Sequence, residues 1–178
     1  MPYLTHDEFL KRVESLNSNY WNEGKGYRWD YMSYVVEQAQ RLGAVRTIEA
    51  GASGIPLNSN SYLFDLPEHD LNVTPYLALN APKLTPTMPE SCAPIPDKYY
   101  DCFIALQVWE HLDNQAAAFR EVMRISKAAI LSFPYLWNHG DKRHRGIDDA
   151  KIKAWTCGVE PQSVKIIHHR AIYVWKFD

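Results

Sequence analysis

Residues 101–133 constrain the fold of this chain more than any other stretch. Asp101–Gln107 (DCFIALQ) is an unbroken apolar run, and Ala128–Phe133 (AAILSF) is another, stopped by Pro134. Neither run alternates polar with apolar residues, so each reads as a strand buried on both faces. Between them, Asp113–Lys127 is helical in pattern. Asp113 is placed to cap it, Phe119, Val122 and Met123 supply an apolar face, and Arg124 and Lys127 suit the negative end of the helix dipole. Two buried strands joined by a helix form a parallel pair with a crossover. The chain is therefore predicted to be α/β, a Rossmann-like and mostly parallel sheet.

The remaining segments fit around this unit. Thr5-His6-Asp7-Glu8 is a capping box, and Phe9, Leu10, Val13 and Leu16 follow at helical spacing. A polar, aromatic stretch (NSNYWNEGKGYRWD) reads as a loop, followed by a second helix from about Asp30 to Leu42 with Gly43 as its stop. Val45–Ala50 is a short buried strand. Ser61–Leu66 and Pro75–Leu79 read as two more, and the five prolines within residues 82–100 mark a loop. Asp148–Trp155 is a short helix. Val164–His168 and Ala171–Phe177 alternate about a tight connection, as in a terminal antiparallel hairpin, with His168-His169-Arg170 at its exposed turn. Two connections, 55–60 and 67–74, are too short for full crossover helices, so the helix complement is reduced. The N-terminal helices of residues 1–43, through Phe9, Val13, Val35 and Ala39, are then expected to cover the sheet built by residues 44–178, helped by a second copy or a partner chain. The whole of 1–178 reads as one domain.

Composition excludes several classes. With 19 Lys plus Arg against 21 Asp plus Glu, the net charge of −2 offers no electrostatic basis for binding nucleic acid or anionic lipid. No apolar run approaches a membrane span, and the N-terminus does not have the pattern of a secretory signal. Three cysteines without a CxxC pair (Cys92, Cys102 and Cys157) fit free thiols in a reducing, cytoplasmic setting. No zinc-type spacing joins His139, His144, Cys157, His168 and His169, so no metal site is predicted. Cys102, inside a strand, is expected to be inert.

In open parallel sheets, ligands bind beyond the carboxyl ends of the strands. There the chain places Glu49-Ala50-Gly51-Ala52-Ser53-Gly54 after the first strand, Asp65-Leu66 at the second and Asn80-Ala81 after the third. Gln107-Val108-Trp109-Glu110-His111 follows the fourth and Pro134-Tyr135 the fifth. Glycines admit a ligand close to the backbone. A carboxylate such as Asp65 can accept both hydroxyls of a ribose, and an amide such as Asn80 can meet an adenine edge.

The stretches TIEAGASG and YYDCFIALQVWEHLDNQAAAFREVMRISKAAILSFP resemble the class I S-adenosylmethionine-dependent methyltransferases over about residues 45–135. The resemblance implies adenosylmethionine as cofactor. The loop of Glu49, Gly51, Ala52, Ser53 and Gly54 would hold its methionine part. Asp65 and Leu66 would lie at the ribose, Asn80 and Ala81 at the adenine, and Gln107 near the sulfonium. The chain departs from the family's G-x-G-x-G run by carrying Ser53 and Ile55 at the second and third glycine positions.

The acceptor is expected to be a small polar molecule, and the His- and Arg-rich 139–145 loop points to an oxygen nucleophile. His111 and His144 are the candidate bases, and Arg145 and Tyr135 the candidate acceptor contacts. His111 equally suits a loop-orienting role, and Tyr20, Trp21, Tyr27 and Trp29 suit either a lid or core packing. A non-catalytic scaffold with the same fold is the rival reading.

Overall fold

The computed structural model describes residues 2–64, 95–138, 142 and 144–178. Helices α1 (His6–Leu16), α2 (Asn19–Asn22) and α3 (Lys25–Arg41) precede strands β1 (Thr47–Ala50) and β2 (Tyr62–Phe64). Strand β3 (Cys102–Leu106) leads through a 3₁₀ turn, Trp109–His111, into α4 (Gln115–Ile125) and β4 (Ala128–Pro134). Helix α5 (Asp149–Trp155) and the hairpin β5 (Ser163–Ile167) and β6 (Arg170–Lys176) complete the chain. The sheet order is β2-β1-β3-β4-β6-β5. The first four strands are mutually parallel, and β6 runs antiparallel to both β4 and β5. The fold is thus α/β, a mostly parallel sheet ending in an antiparallel hairpin.

Local chemistry accounts for most element boundaries. Thr5 caps α1 by accepting from the Glu8 amide, while Glu8 accepts from the Thr5 amide at 2.9 Å. Asp148 caps α5 through the Lys151 amide at 2.9 Å. His168 and His169 both take the left-handed conformation that a two-residue type I′ hairpin connection requires. Three expectations are corrected. The stretch after α1 is not a loop: it forms α2, and α3 begins at Lys25 rather than Asp30. The cap of α4 is Asn114, which accepts from the Ala117 amide at 3.0 Å, rather than Asp113. The 3₁₀ turn and the extended Leu112 use the residues before it and move the helix start to Gln115. The strand expected at Pro75–Leu79 and the loop over 82–94 lie outside the described residues.

Both sheet faces are covered. On one, Phe9, Val13, Val35 and Ala39 from α1 and α3 pack with Ile104, Ile130 and Ile172, all at most 1% exposed. On the other, Phe119 and Val122 of α4 meet Phe103, Phe133 and Trp175. The connection between β1 and β2 contains no helix. The N-terminal segment lies against it instead, the Leu4 amide donating to the Leu57 carbonyl at 2.8 Å.

Asp101 ties the sheet's other end together. Its carboxylate accepts from the Arg46 amide at 2.9 Å, the Val45 amide at 3.2 Å and Lys127 Nζ at 2.8 Å. Partial burial opposes ionisation, but these donors outweigh it and hold the carboxyl below its ordinary value. A carboxyl depressed in the fold contributes stability above its unfolded pKa and loses it as pH falls through the folded pKa. Asp101→Asn is expected to cost about 1–2 kcal/mol at neutral pH. Chemical denaturation should show the difference from wild type shrinking as pH falls below about 4, the range of the unfolded carboxyl, and on through the lower folded value.

Candidate active site

Strand order reverses beside β1: the chain goes from β1 to β2 on one side and returns to β3 on the other. Ligand clefts of open α/β sheets form at this switch, beyond the carboxyl ends of the strands. A narrow cleft lies there. Its floor is Glu49–Ser53 with Ile104 and Leu106, and its far wall is Tyr20, Trp21, Tyr31 and Met32.

Glu49 shapes the floor. It is buried, and its two carboxylate oxygens accept from the Leu57 amide at 2.8 Å, the Asn58 amide at 2.9 Å and the Ser61 hydroxyl. Burial raises its pKa while these three donors work the other way. The carboxylate therefore braces the turn from 51 to 61 with the oxygens a ligand would otherwise meet.

Gly51 has φ +68°, and a Cβ there would stand 2.4 Å from Val108 Cγ2. Ser53, at the family's second glycine position, also adopts a left-handed conformation, φ 47°. Its carbonyl accepts from the Trp21 indole N–H at 3.3 Å, fastening the loop to the aromatic wall. Gly54 continues the turn with φ +84°, and Ala52 lines the cleft beside it.

The wall is set by Arg28. Its guanidinium lies 3.8 Å from the Tyr20 ring centroid and 5.2 Å from that of Trp21, a cation held against aromatic faces. Gly24 is the space that this requires, since a Cβ there would meet Arg28 Nε at 2.5 Å. Of the four aromatics weighed as a lid, Tyr20 and Trp21 line the cleft. Trp29 stacks on His6 and packs against Phe9, away from it. Tyr27 sits beside Arg170 and His168.

The other strand ends converge on the same side. Gln107 has φ +58°; its amide donates to the Ser132 carbonyl at 3.1 Å and its side chain to Ser132 Oγ at 3.0 Å. It bridges the tips of β3 and β4. In the 3₁₀ turn that follows, Glu110 is buried, and His111 faces His144 with ring centroids 5.2 Å apart. Both Nε2 atoms point at one Glu110 oxygen, at 3.9 and 4.0 Å. Tyr135 donates to Asp149 Oδ2 at 3.1 Å and Tyr173 to Oδ1 at 2.8 Å, anchoring α5 to β4 and β6. Desolvation first and then Asp149 raise the pKa of both phenols. Arg145 is exposed, its carbonyl accepting from Lys151 Nζ. Cys102 is fully buried with its thiol pushed up by desolvation, which makes it unreactive.

Asp65, Leu66, Asn80 and Ala81 lie outside the described residues. Glu110, Tyr31 and Met32 were not among the site residues read from the sequence. The pair Glu110-His111 after a strand was a usable signal for the first. Tyr31 and Met32 carry none, because they sit on a helix far upstream of every strand end.

An open sheet with its cleft at the β1/β3 switch, a glycine turn after β1 and an antiparallel hairpin at the end is the fold of the class I S-adenosylmethionine-dependent methyltransferases. Residues 77–129 match the family model described as a methyltransferase domain. No curated protein sequence matches the chain. A SAM-dependent methyltransferase from Aquifex aeolicus superposes with a TM-score of 0.57 at 11% identity, covering 93% of this chain and 96% of that one. The N-terminal domain of EvdMO1, solved in the presence of SAH and D-fucose, gives 0.57 at 14% identity, with 99% and 98% covered. A Galdieria sulphuraria protein assigned as a sarcosine dimethylglycine methyltransferase gives 0.57 at 14% identity; the match covers 76% of this chain and 63% of that protein's length.

Proposed function

We propose that the chain binds S-adenosylmethionine in the cleft at the β1/β3 switch and transfers its methyl group to a small polar acceptor held beside His111 and His144. The observation that carries this reading is the cleft itself, which joins the glycine turn, the β3 tip and an aromatic wall at the place where such folds take ligands. The cofactor supplies a methyl carbon already activated by the sulfonium. The chain's own residues bind, orient and exclude water. Gly51–Gly54 receives the methionine part, Tyr20 and Trp21 close over it, and Asp65, with Leu66 beside it, holds the ribose. Asn80 and Ala81 take the adenine edge. Gln107 stiffens the cleft between the glycine turn and the acceptor side. Arg145 and Tyr135 border the acceptor mouth. For a hydroxyl acceptor, His144 takes the proton and His111 orients it.

The test is calorimetric titration with S-adenosylhomocysteine. Asp65→Ala should weaken binding by about 1.5–3 kcal/mol, the range for a hydrogen bond to a charged group. Unchanged affinity with an intact circular dichroism spectrum removes Asp65 from the site. Absence of binding by the wild-type chain at millimolar ligand turns the reading to a scaffold of methyltransferase fold, which the helix-free β1–β2 connection favours.

A further inference from the structure

We infer that Glu110, His111 and His144 form a binding site for a divalent transition-metal ion on the acceptor side of the cleft. One carboxylate oxygen and two imidazole nitrogens lie within 4.8 Å of one another. Both His Nε2 atoms address the same Glu110 oxygen, at 3.9 and 4.0 Å. These separations exceed the hydrogen-bond range of about 2.7–3.2 Å. Ligands about 2.1 Å from one tetrahedral ion stand about 3.4 Å apart, so the three donors would close on the ion by about half an ångström or more.

The donor set selects the ion. Two imidazoles and one carboxylate suit zinc, cobalt, iron or manganese rather than calcium or magnesium, which prefer all-oxygen ligation. The Glu110 side chain is fully buried, whereas those of His111 and His144 are 37% and 30% exposed. The carboxylate is therefore fixed at the base of the site, and the imidazoles flank an open side. Three protein ligands leave positions for oxygen atoms from solvent or substrate.

Backbone geometry supports the same assignment. Glu110 and His111 sit in a 3₁₀ turn capped by Val108, which packs on Gly51, so their position is coupled to the glycine turn. His144 comes from the segment after β4, the other strand end at this mouth. The site therefore joins the segments that follow the neighbouring strands β3 and β4. This rests on the methyl-transfer reading above but replaces His144 as the base, since an imidazole nitrogen that holds an ion takes no proton: the ion's open positions would take oxygen atoms of the acceptor and acidify its hydroxyl, which narrows the substrate class to molecules with a chelating pair such as adjacent hydroxyls or a hydroxyl beside a carbonyl.

The test is titration of the full chain with Co²⁺, read by visible ligand-field absorption, with S-adenosylhomocysteine binding measured separately by calorimetry. One Co²⁺ per chain is expected. His111→Ala and His144→Ala, both at partly exposed positions, should each weaken it at least about tenfold, as should Glu110→Gln. Circular dichroism of each variant verifies the fold. No ligand-field spectrum at millimolar Co²⁺, or unaltered Co²⁺ affinity in both histidine variants, overturns the site. Co²⁺ binding that follows these residues without homocysteine-ligand binding supports the metal site and removes the cofactor reading; the opposite pair of results removes the metal site alone.

Discussion

Gly51→Ala is expected to abolish measurable S-adenosylhomocysteine binding and to lower the stability of the fold by about 2–5 kcal/mol. Two costs add at this position. The backbone is left-handed, φ +68°, which L residues with a Cβ disfavour by about 1–2 kcal/mol. The new methyl would stand 2.4 Å from Val108 Cγ2, inside any real contact distance. Relief requires moving Val108, and with it the turn bearing Glu110 and His111, or moving the loop that forms the cleft floor. Overpacking of this kind costs about 1–3 kcal/mol. Thermal melting gives the stability change and calorimetry the affinity. A variant with wild-type melting and wild-type affinity would show that the turn tolerates a Cβ and that the cleft floor is not built as described.

Removing residues 1–18 should unfold the chain or drive it to aggregate. Tyr3, Leu4, Phe9 and Val13 are all buried in the core that covers one sheet face. Each buried apolar side chain contributes about 1.5–3 kcal/mol. Four of them approach the entire stability of a typical domain, about 5–15 kcal/mol. The loss is compounded at the cleft, because the Leu4 amide and the Leu57 carbonyl join this segment to the turn that Glu49 braces. Size-exclusion chromatography and thermal melting of the truncated chain provide the measurement. A monomer with unaltered melting temperature would mean that something else covers the face.

Features set by near neighbours in the chain were readable from it. The capping box Thr5–Glu8 closes within one turn, and its two hydrogen bonds depend on nothing outside that turn. The buried strands were visible because a strand with both faces covered cannot carry alternating polar residues, as 102–106 and 128–134 do not. The absence of a β1–β2 helix followed from the small number of residues between Gly54 and Tyr62. The early start of α3 was not readable. Its first turns carry Gly26, Tyr27 and Trp29, poor helix formers, and what stabilises them is Arg28 set among the rings of Tyr20, Trp21 and Tyr27. That packing exists only once α2 has docked.

The candidate site divides along the same line. The sequence by itself determined that ligand-type groups follow the strands, because chain order places Gly51, Gln107 and Tyr135 directly after apolar runs whose burial is dictated by their composition. It also determined that Cys102 is inert, since a thiol in the middle of a buried strand has no access to solvent. Only the tertiary structure decided which of those groups are occupied and which converge. It turned the Glu49 carboxylate to the Leu57 and Asn58 amides, tied Tyr135 to Asp149, and left Tyr20 and Trp21 facing the glycine turn. It also brought His144 to within 4.0 Å of Glu110, thirty-four positions earlier in the chain. The physical reason is range. Burial and capping act between neighbours on one segment, whereas the partner of a buried polar group is chosen by which strand ends the sheet order sets side by side.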